Sequence, residues 1–324
     1  MATKDQILSL LLSCRGSFLS GEELAKTLGV SRAAVWKGVK ALKEAGFPID
    51  AQQNRGYRLE SGADILSTQG ILGLLEPGLP YRIDLRPSVT STNALLREQA
   101  AGGAAEGTVL ISGAQSQGRG RLGRSFFSPA DTGVYLSILL RPDLDNPGKA
   151  TTLTTLAALA ACEAVTEIAG RQAQIKWVND VLLDGRKTAG ILTEAALSLE
   201  DGTLDYVVLG VGFNLYAPAG GFPPEIADTA GAILSAPMDD GKNALCAAFL
   251  NRFWALYRRP EGYEARYRQH CMVLGREVWV ITPKEQRLAK ALDLDERCAL
   301  IVEYPDGTRQ TLKAGEVRIR EKKG

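Results

Sequence analysis

The 324-residue sequence predicts an α+β protein in three parts: a helical segment closed by a hairpin, a central mixed-sheet α/β domain and a small C-terminal β-barrel. Three observations predict it. Apolar residues recur at helical spacing between 7 and 42, short strands and one long apolar helix share 69–270, and short strands broken by turns fill 278–319. The expected domains are 1–62, 69–271 and 272–324, with 63–68 as connector.

In the first segment Ile7, Leu10 and Leu11 form a helical stripe. Ser20 followed by Glu22 and Glu23 supplies a cap and acidic first-turn residues for a second helix, which Gly29 closes. Ser31 caps a third, in which Val35, Val39 and Leu42 recur at i, i+4 and i+7, and Gly46 ends it. Two helices joined by so short a turn are a helix-turn-helix. The outer face of the third helix carries Arg32, Ala33, Trp36, Lys37 and Lys40 beside its cap Ser31, small and cationic groups suited to a major groove. Residues 47–59 predict a hairpin wing with Arg55 at its tip. Nine Lys/Arg against six Asp/Glu in 1–60 is a modest local excess, and a helical protein-interaction module with a solvated basic face is the alternative to DNA.

In the central part, 108–112, 134–140, 175–178, 188–195 and 206–212 predict strands, with hairpin turns at Asp184-Gly185 and Asp201-Gly202. Residues 150–169 predict a helix apolar on every side, and therefore buried. Consecutive hairpins imply an antiparallel or mixed sheet rather than a doubly wound one. Strands at 278–281, 300–304, 308–312 and 316–319, with a turn at Asp306-Gly307, predict the barrel.

Composition narrows the chemistry. A net charge of +1 gives no whole-molecule field, so any nucleic-acid site is local. Five scattered cysteines without a CxxC pair argue for reduced thiols in a cytoplasm, against a disulfide scaffold or zinc knuckle. The single histidine, His270, has no nucleophile motif near it. No signal peptide is expected, and no stretch is expected to approach a membrane span.

The densest motif is 115–124, QSQGRGRLGR. Gly118, Gly120 and Gly123 match GxGxxG formally, but no helix is expected after them, so the dinucleotide reading fails. Glycines let backbone N–H groups approach an anion, while Arg119, Arg121 and Arg124 add permanent bidentate donors. The loop can grip a polyphosphate, and a solvated basic loop or a nucleic-acid loop fits the spacing equally well. A second cluster, KWVND at 176–180 and GRKTAGIL at 185–192, is expected to put Asn179 and Asp180 at a strand end. Lys187 would then start the next strand, where an ammonium can offset charge between a carboxylate and an α-phosphate.

At these residues the sequence resembles the biotin–protein ligases. GRGRLGR (118–124) is similar to their biotin-loop signature, KWVND to their KWPND, and GRKTAGIL to the segment bearing their essential lysine. Ser91-Thr92-Asn93 resembles the STN of their biotin pocket, Gln115 the matching glutamine, and 210–214 their GxGxN strand end. Residues 316–320 resemble the end of their SH3-like C-terminal domain, and 20–57 the winged helix-turn-helix of their bifunctional members, which repress biotin genes. Val178 stands where relatives carry proline, and Phe126 where some carry tryptophan near adenine.

The resemblance implies a cytoplasmic, non-membrane enzyme that joins biotin and ATP with Mg²⁺ into biotinoyl-5′-AMP. It would pass biotin to a lysine of a biotin carboxyl carrier protein domain, and would dimerise with adenylate bound to repress operator DNA. Catalysis would fall to Lys187, Arg119, Arg121 and Asp180, the last a candidate base and metal ligand. Biotin would meet Ser91, Thr92, Asn93, Gln115, Gly118, Arg119, Gly120, Arg121, Lys187, Gly190 and Gly210. The nucleotide would meet Arg121, Arg124, Phe126, Lys176, Asn179, Asn214 and Arg320. DNA would meet Ser31, Arg32, Ala33, Trp36, Lys37, Lys40 and Arg55. The glycine- and proline-rich 217–224 would help to close the site. A lipoate–protein ligase relative and a ligand-sensing repressor without transferase activity are the alternatives.

Overall fold

The computed structural model describes residues 2–62, 64–142, 149–197, 204–282, 285–313 and 315–319. The chain divides into two compact units, Met1–Glu76 with Ala236–Ala247, and Pro77–Ser235 with Ala248–Gly324.

In the first unit α1 (Thr3–Ser13), α2 (Gly21–Leu28) and α3 (Arg32–Glu44) precede a hairpin of β1 (Ile49–Gln52) and β2 (Gly56–Leu59), which pair in antiparallel register from Ile49↔Leu59 to Gln52↔Gly56. The expected caps are present. Ser20 and Glu23 form a reciprocal capping box, Gly29 ends α2 in the left-handed region at φ 64°, and Ser31 Oγ accepts from Ala34 N. Ile7, Leu8, Leu11, Leu24, Val35, Val39, Leu42, Ile49 and Leu59 form one buried cluster, so the wing is packed on the helices. Gly56 has to be glycine: at φ 104° a Cβ would also lie 2.1 Å from Leu19 O. A short α4 (Thr68–Leu72) is capped by Ser67. Asn243 accepts from Ser67 N at 2.9 Å and donates to Ile65 O at 2.9 Å, tying 236–247 into this unit.

The second unit holds β3 (Arg82–Arg86), α5 (Thr92–Ala101), β4 (Thr108–Ser112), β5 (Gly133–Leu140), α6 (Lys149–Ala169), β6 (Gln174–Lys176), β7 (Asp180–Leu183), β8 (Arg186–Leu197) and β9 (Leu204–Asn214). After these come α7 (Gly241–Arg258), whose N-terminal residues belong to the first unit, and α8 (Tyr263–His270). The seven strands form one sheet in the order β3-β4-β5-β9-β8-β7-β6, with only β3 and β4 parallel. This is the expected mixed sheet. A second, five-stranded antiparallel sheet in the order β13-β12-β11-β10-β14 comprises β10 (Glu277–Ile281), β11 (Gln286–Leu294), β12 (Leu300–Glu303), β13 (Arg309–Leu312) and β14 (Glu316–Ile319). Among the described residues no pairing closes it into a barrel.

Several elements exceed what the sequence predicts. Short β3 and β7 carry charges at their ends, and β11 (QRLAKALDL) is rich in helix-favouring residues yet pairs on both sides, so neighbours override propensity. The expected Asp201-Gly202 turn lies outside the described residues. Contrary to expectation, one helix is long and apolar enough to cross a membrane, Thr152–Ala169, but most of it is buried within the protein, packed on β8 and α8.

Four of the five cysteines are buried. Burial pushes the Cys271 thiol up to about 11 and those of Cys162 and Cys298 up to about 12, and raises Cys246 further, so all four stay protonated at neutral pH. None is placed to act as a nucleophile. A thiol reagent at pH 8 is therefore expected to modify one cysteine, Cys14, in the native protein and all five in denaturant, counted by intact mass.

Candidate functional site

The site begins with a bare strip on the main sheet. Side chains alternate along a strand, so Gly210 and Gly212 of β9 share one face. Their register partners on β8 are Leu192 and Gly190, and on β5 Ser137 and Tyr135. Three glycines thus meet across two strands, and other groups settle directly on backbone. A Cβ on Gly210 would lie 2.2 Å from Asn93 Oδ1, and one on Gly212 2.6 Å from the Phe126 ring.

Ser91 caps α5, which places Ser91, Thr92 and Asn93 in its buried first turn. Gln115 Oε1 accepts from Thr92 N at 2.9 Å and from Thr92 Oγ1 at 3.2 Å, and Gln115 Nε2 donates to Ser128 Oγ at 3.1 Å. With Arg119, Phe126, Gly190, Leu192, Gly210, Val211 and Gly212 these residues line a cavity of about 30 Å³. That holds on the order of one or two waters.

The glycine- and arginine-rich loop folds over this strip. No helix follows it, as expected. Phe126 N donates to Gly118 O and Gly120 N to Arg124 O, closing the loop on itself. Gly118 must be small, since a Cβ would lie 2.4 Å from Phe126 O. Leu122 at the tip is 75% exposed. Phe126 lies edge-on to Tyr135, with centroids 6.3 Å apart. It forms a wall of three cavities: the small one above, one of about 140 Å³ and one of about 100 Å³.

The second cavity gathers the charges. Arg121, Arg124, Lys176, Asn179, Asp180 and Lys187 line it together with Gly120, Trp177 and residues of the C-terminal sheet. Asn179 and Asp180 do not end a strand as expected. Asn179 lies in the turn after β6, and Asp180 is the first residue of β7, because pairing resumes at Lys176↔Asp180. Asn179 accepts from Arg121 Nη1 at 2.9 Å and donates to Ile191 O at 3.0 Å, so it fixes the arginine to the sheet. The turn is held by Tyr267 donating to Val178 O and by Trp177 Nε1 donating to Cys298 O, anchors the sequence does not suggest.

Lys187 begins β8 nearly as expected. Its Nζ lies 2.6 Å from Asp180 Oδ1, a close ion pair. The third cavity joins Lys187 and Phe126 to Asn214 and to Phe222, Ile226, Thr229 and Ala230, four residues the motifs do not identify. Phe222 belongs to the glycine- and proline-rich segment expected to help close the site.

Among these three cavities Arg119 and Lys187 share none: Arg119 lines the small one, Lys187 the other two, and Phe126 all three. Arg121 and Lys187 do converge. Asn93 is brought in as a strut, with its amide committed to protein partners. Arg320 lies outside the described residues. In the other unit Ser31, Arg32, Ala33, Lys37 and Lys40 are exposed along α3, and Trp36 is 55% exposed beneath Lys40 Nζ, which lies 5.6 Å from its ring centroid. On the wing Arg55 stacks 4.2 Å from the Phe18 ring.

Comparison with known proteins accounts for this combination. Residues 3–58 match an HTH domain, 85–214 the biotin/lipoate A/B protein ligase family, and 273–320 the biotin protein ligase C-terminal domain. The bifunctional ligase/repressor BirA of Bacillus subtilis is 31% identical over 96% of this chain and 97% of its own. That of Escherichia coli is 30% identical over 96% of each. The biotin protein ligase of Aquifex aeolicus, solved with biotin and ATP, superposes on 74% of this chain and 99% of its own with a TM-score of 0.61 and 24% identity, which supports the fold. Fold and site thus define a protein ligase coupled to a helix-turn-helix domain. The chain belongs to the bifunctional ligase/repressor family of biotin–protein ligases.

The pairing of Asp180 with Lys187 has a measurable consequence. Lys187→Met leaves a half-buried carboxylate unpaired and is expected to cost about 1 kcal/mol in urea unfolding. Adding Asp180→Asn should recover most of that loss; additive losses would show that the two groups do not interact.

Proposed function

We propose that this protein activates biotin with ATP to biotinoyl-5′-AMP, transfers biotin to a lysine of a carrier-protein domain, and represses transcription when the adenylate is bound. The observation that carries the reading is the meeting of Arg121 and Lys187 in one cavity, next to the glycine-floored pocket behind Phe126.

Biotin's ureido ring would enter the small pocket, where one Gln115 N–H remains available and Ser91 and Thr92 offer hydroxyls. At about 30 Å³ that pocket admits the ring only after Phe126 and its loop move off the strip. In the first step a biotin carboxylate oxygen attacks the α-phosphorus, the bond to the β-phosphate oxygen breaks, and pyrophosphate leaves. Two anions must approach each other, so fixed cations lower the barrier. Arg121, braced by Asn179, and Lys187 would supply them, with Arg119 reaching from the biotin side. Lys187 would exchange Asp180 for the acyl phosphate. Phe126 and Asn214 would bound the adenine, and Lys176 and Arg124 the phosphates.

Among the described residues no three His, Cys, Asp or Glu side chains cluster to hold a metal. Mg²⁺ needs few protein ligands when phosphates supply the rest, and the Asp180 carboxylate, once released by Lys187, fits one such contact, with Asn179 beside it. Bound there, the ion would neutralise phosphate charge. In the second step the acceptor amine nitrogen attacks the acyl carbon, AMP leaves, and the ammonium proton passes to a base, for which Asp180 is the candidate once Lys187 has turned to the phosphate.

For repression, α3 would lie in the major groove, with Arg32, Lys37 and Lys40 on backbone and bases, Trp36 and Ala33 on apolar edges, and Arg55 on the flanking phosphates. Adenylate ordering the loops would favour a homodimer, and ligand at 100 times its Kd contributes about 2.7 kcal/mol to the binding-competent state. Two recognition helices then match a palindromic operator.

Incubation with biotin, MgATP and a carrier domain should add one biotinyl mass to the carrier, and Lys187→Ala should slow this by roughly 10²- to 10³-fold. A carrier left unmodified by the wild type would overturn the reading. Sedimentation and gel-shift titrations should show biotinoyl-AMP tightening both the dimer and the operator complex; no response to adenylate in either would overturn the regulatory part.

A further inference from the structure

Beneath the small pocket runs a chain of side-chain hydrogen bonds that starts at a carboxylate no motif identifies. Glu194 sits on β8 four residues beyond Gly190, so it belongs to the same face as the glycine strip. Its Oε2 accepts from Asn93 Nδ2 at 2.7 Å, and Arg97 Nη1 lies 3.4 Å from its Oε1. Asn93 Oδ1 accepts from the buried Ser137 Oγ at 2.6 Å, and Ser137 Oγ lies 2.8 Å from Thr92 Oγ1, to which it also donates. Thr92 Oγ1 donates on to Gln115 Oε1 at 3.2 Å.

The amides in this chain are oriented from both of its ends. A carboxylate only accepts, so Asn93 must turn its NH₂ to Glu194 and its oxygen to Ser137. Ser137 has one hydrogen, drawn to Asn93 Oδ1 and Thr92 Oγ1 together. At the other end Gln115 is oriented by Thr92 N, which can only donate to its Oε1, so Gln115 Nε2 is left for Ser128 and the pocket. Without an acceptor at 194, Asn93 Nδ2 keeps only Leu192 O at 3.4 Å, so its side chain can shift and carry Ser137 and Thr92 with it. Position is set as well: Asn93 rests against Gly210, where no Cβ can fit.

We propose that Glu194 is a positioning residue for the biotin subsite, acting through Asn93 and Ser137 to hold Thr92, and with it Gln115, in place. The proposal rests on the biotin reading above. Glu194 lines none of the three cavities, so its influence on ligand passes through Asn93.

A double-mutant cycle with biotin titrated calorimetrically tests it. Glu194→Ala and Asn93→Ala are each expected to raise the biotin Kd roughly tenfold, with the KM for ATP unchanged. The double variant should bind no worse than Asn93→Ala alone, because both changes break the same chain. Glu194→Gln, which keeps an oxygen for Asn93 Nδ2, should restore most of the affinity. If Glu194→Ala does not fold, Glu194→Met, which fills the space without an acceptor, enters the cycle instead. Biotin affinity within twofold of wild type in the 194 variant, penalties that multiply in the double variant, or equal weakening of biotin and ATP would each overturn the role of Glu194. A wild type that binds no biotin would instead overturn the functional reading.

Discussion

The constraint on which the rest depends is close approach to backbone on one patch of the central sheet. Gly190, Gly210 and Gly212 meet in register on β8 and β9, so the sheet presents peptide surface where side chains would otherwise stand. Asn93 and Phe126 occupy that space from opposite directions, one fixed by a helix cap and the other brought by a loop. Any side chain at Gly210 or Gly212 would displace one of them. The strip therefore sets both the floor of the small pocket and the resting place of the aromatic ring that shuts it.

Around this floor the charges are sorted by distance rather than pooled. Arg119 faces the small pocket, while Arg121, Arg124, Lys176 and Lys187 face the larger cavity, and Phe126 lines both. Two of these cations have partners on the sheet: Asn179 on Arg121 and Asp180 on Lys187.

Much of this was legible in the sequence because it depends on local chemistry. Ser20 with Glu23, Gly29 and Ser31 mark helix ends whatever the surroundings, and the strands 108–112 and 316–319 lie where alternation puts them. Lys187 after Asp184-Gly185 was recognisable for the same reason, since the turn residues dictate where β8 begins. The residues that were not legible act across the fold. Tyr267 and the Cys298 carbonyl hold the 177–179 turn from more than 80 positions away, and neither belongs to a local pattern. Glu194, Ser137 and Ser128 are ordinary strand and loop residues until pairing sets them beside Asn93 and Gln115. β11 was missed because its alanines, leucines and lysines favour helix, and only pairing with β10 and β12 makes it a strand.

The sequence by itself determined which segments are helix or strand at their strongest signals, and that a winged helical domain precedes a mixed sheet. These follow from side-chain period, cap residues and turn residues, all written within a few positions. The tertiary structure decided which cations share a cavity, which polar groups are struts and which line a cavity, and where the Phe126 ring rests. Those outcomes turn on register between strands and on hydrogen bonds between distant residues, and a change of one position in either would reassign every partner.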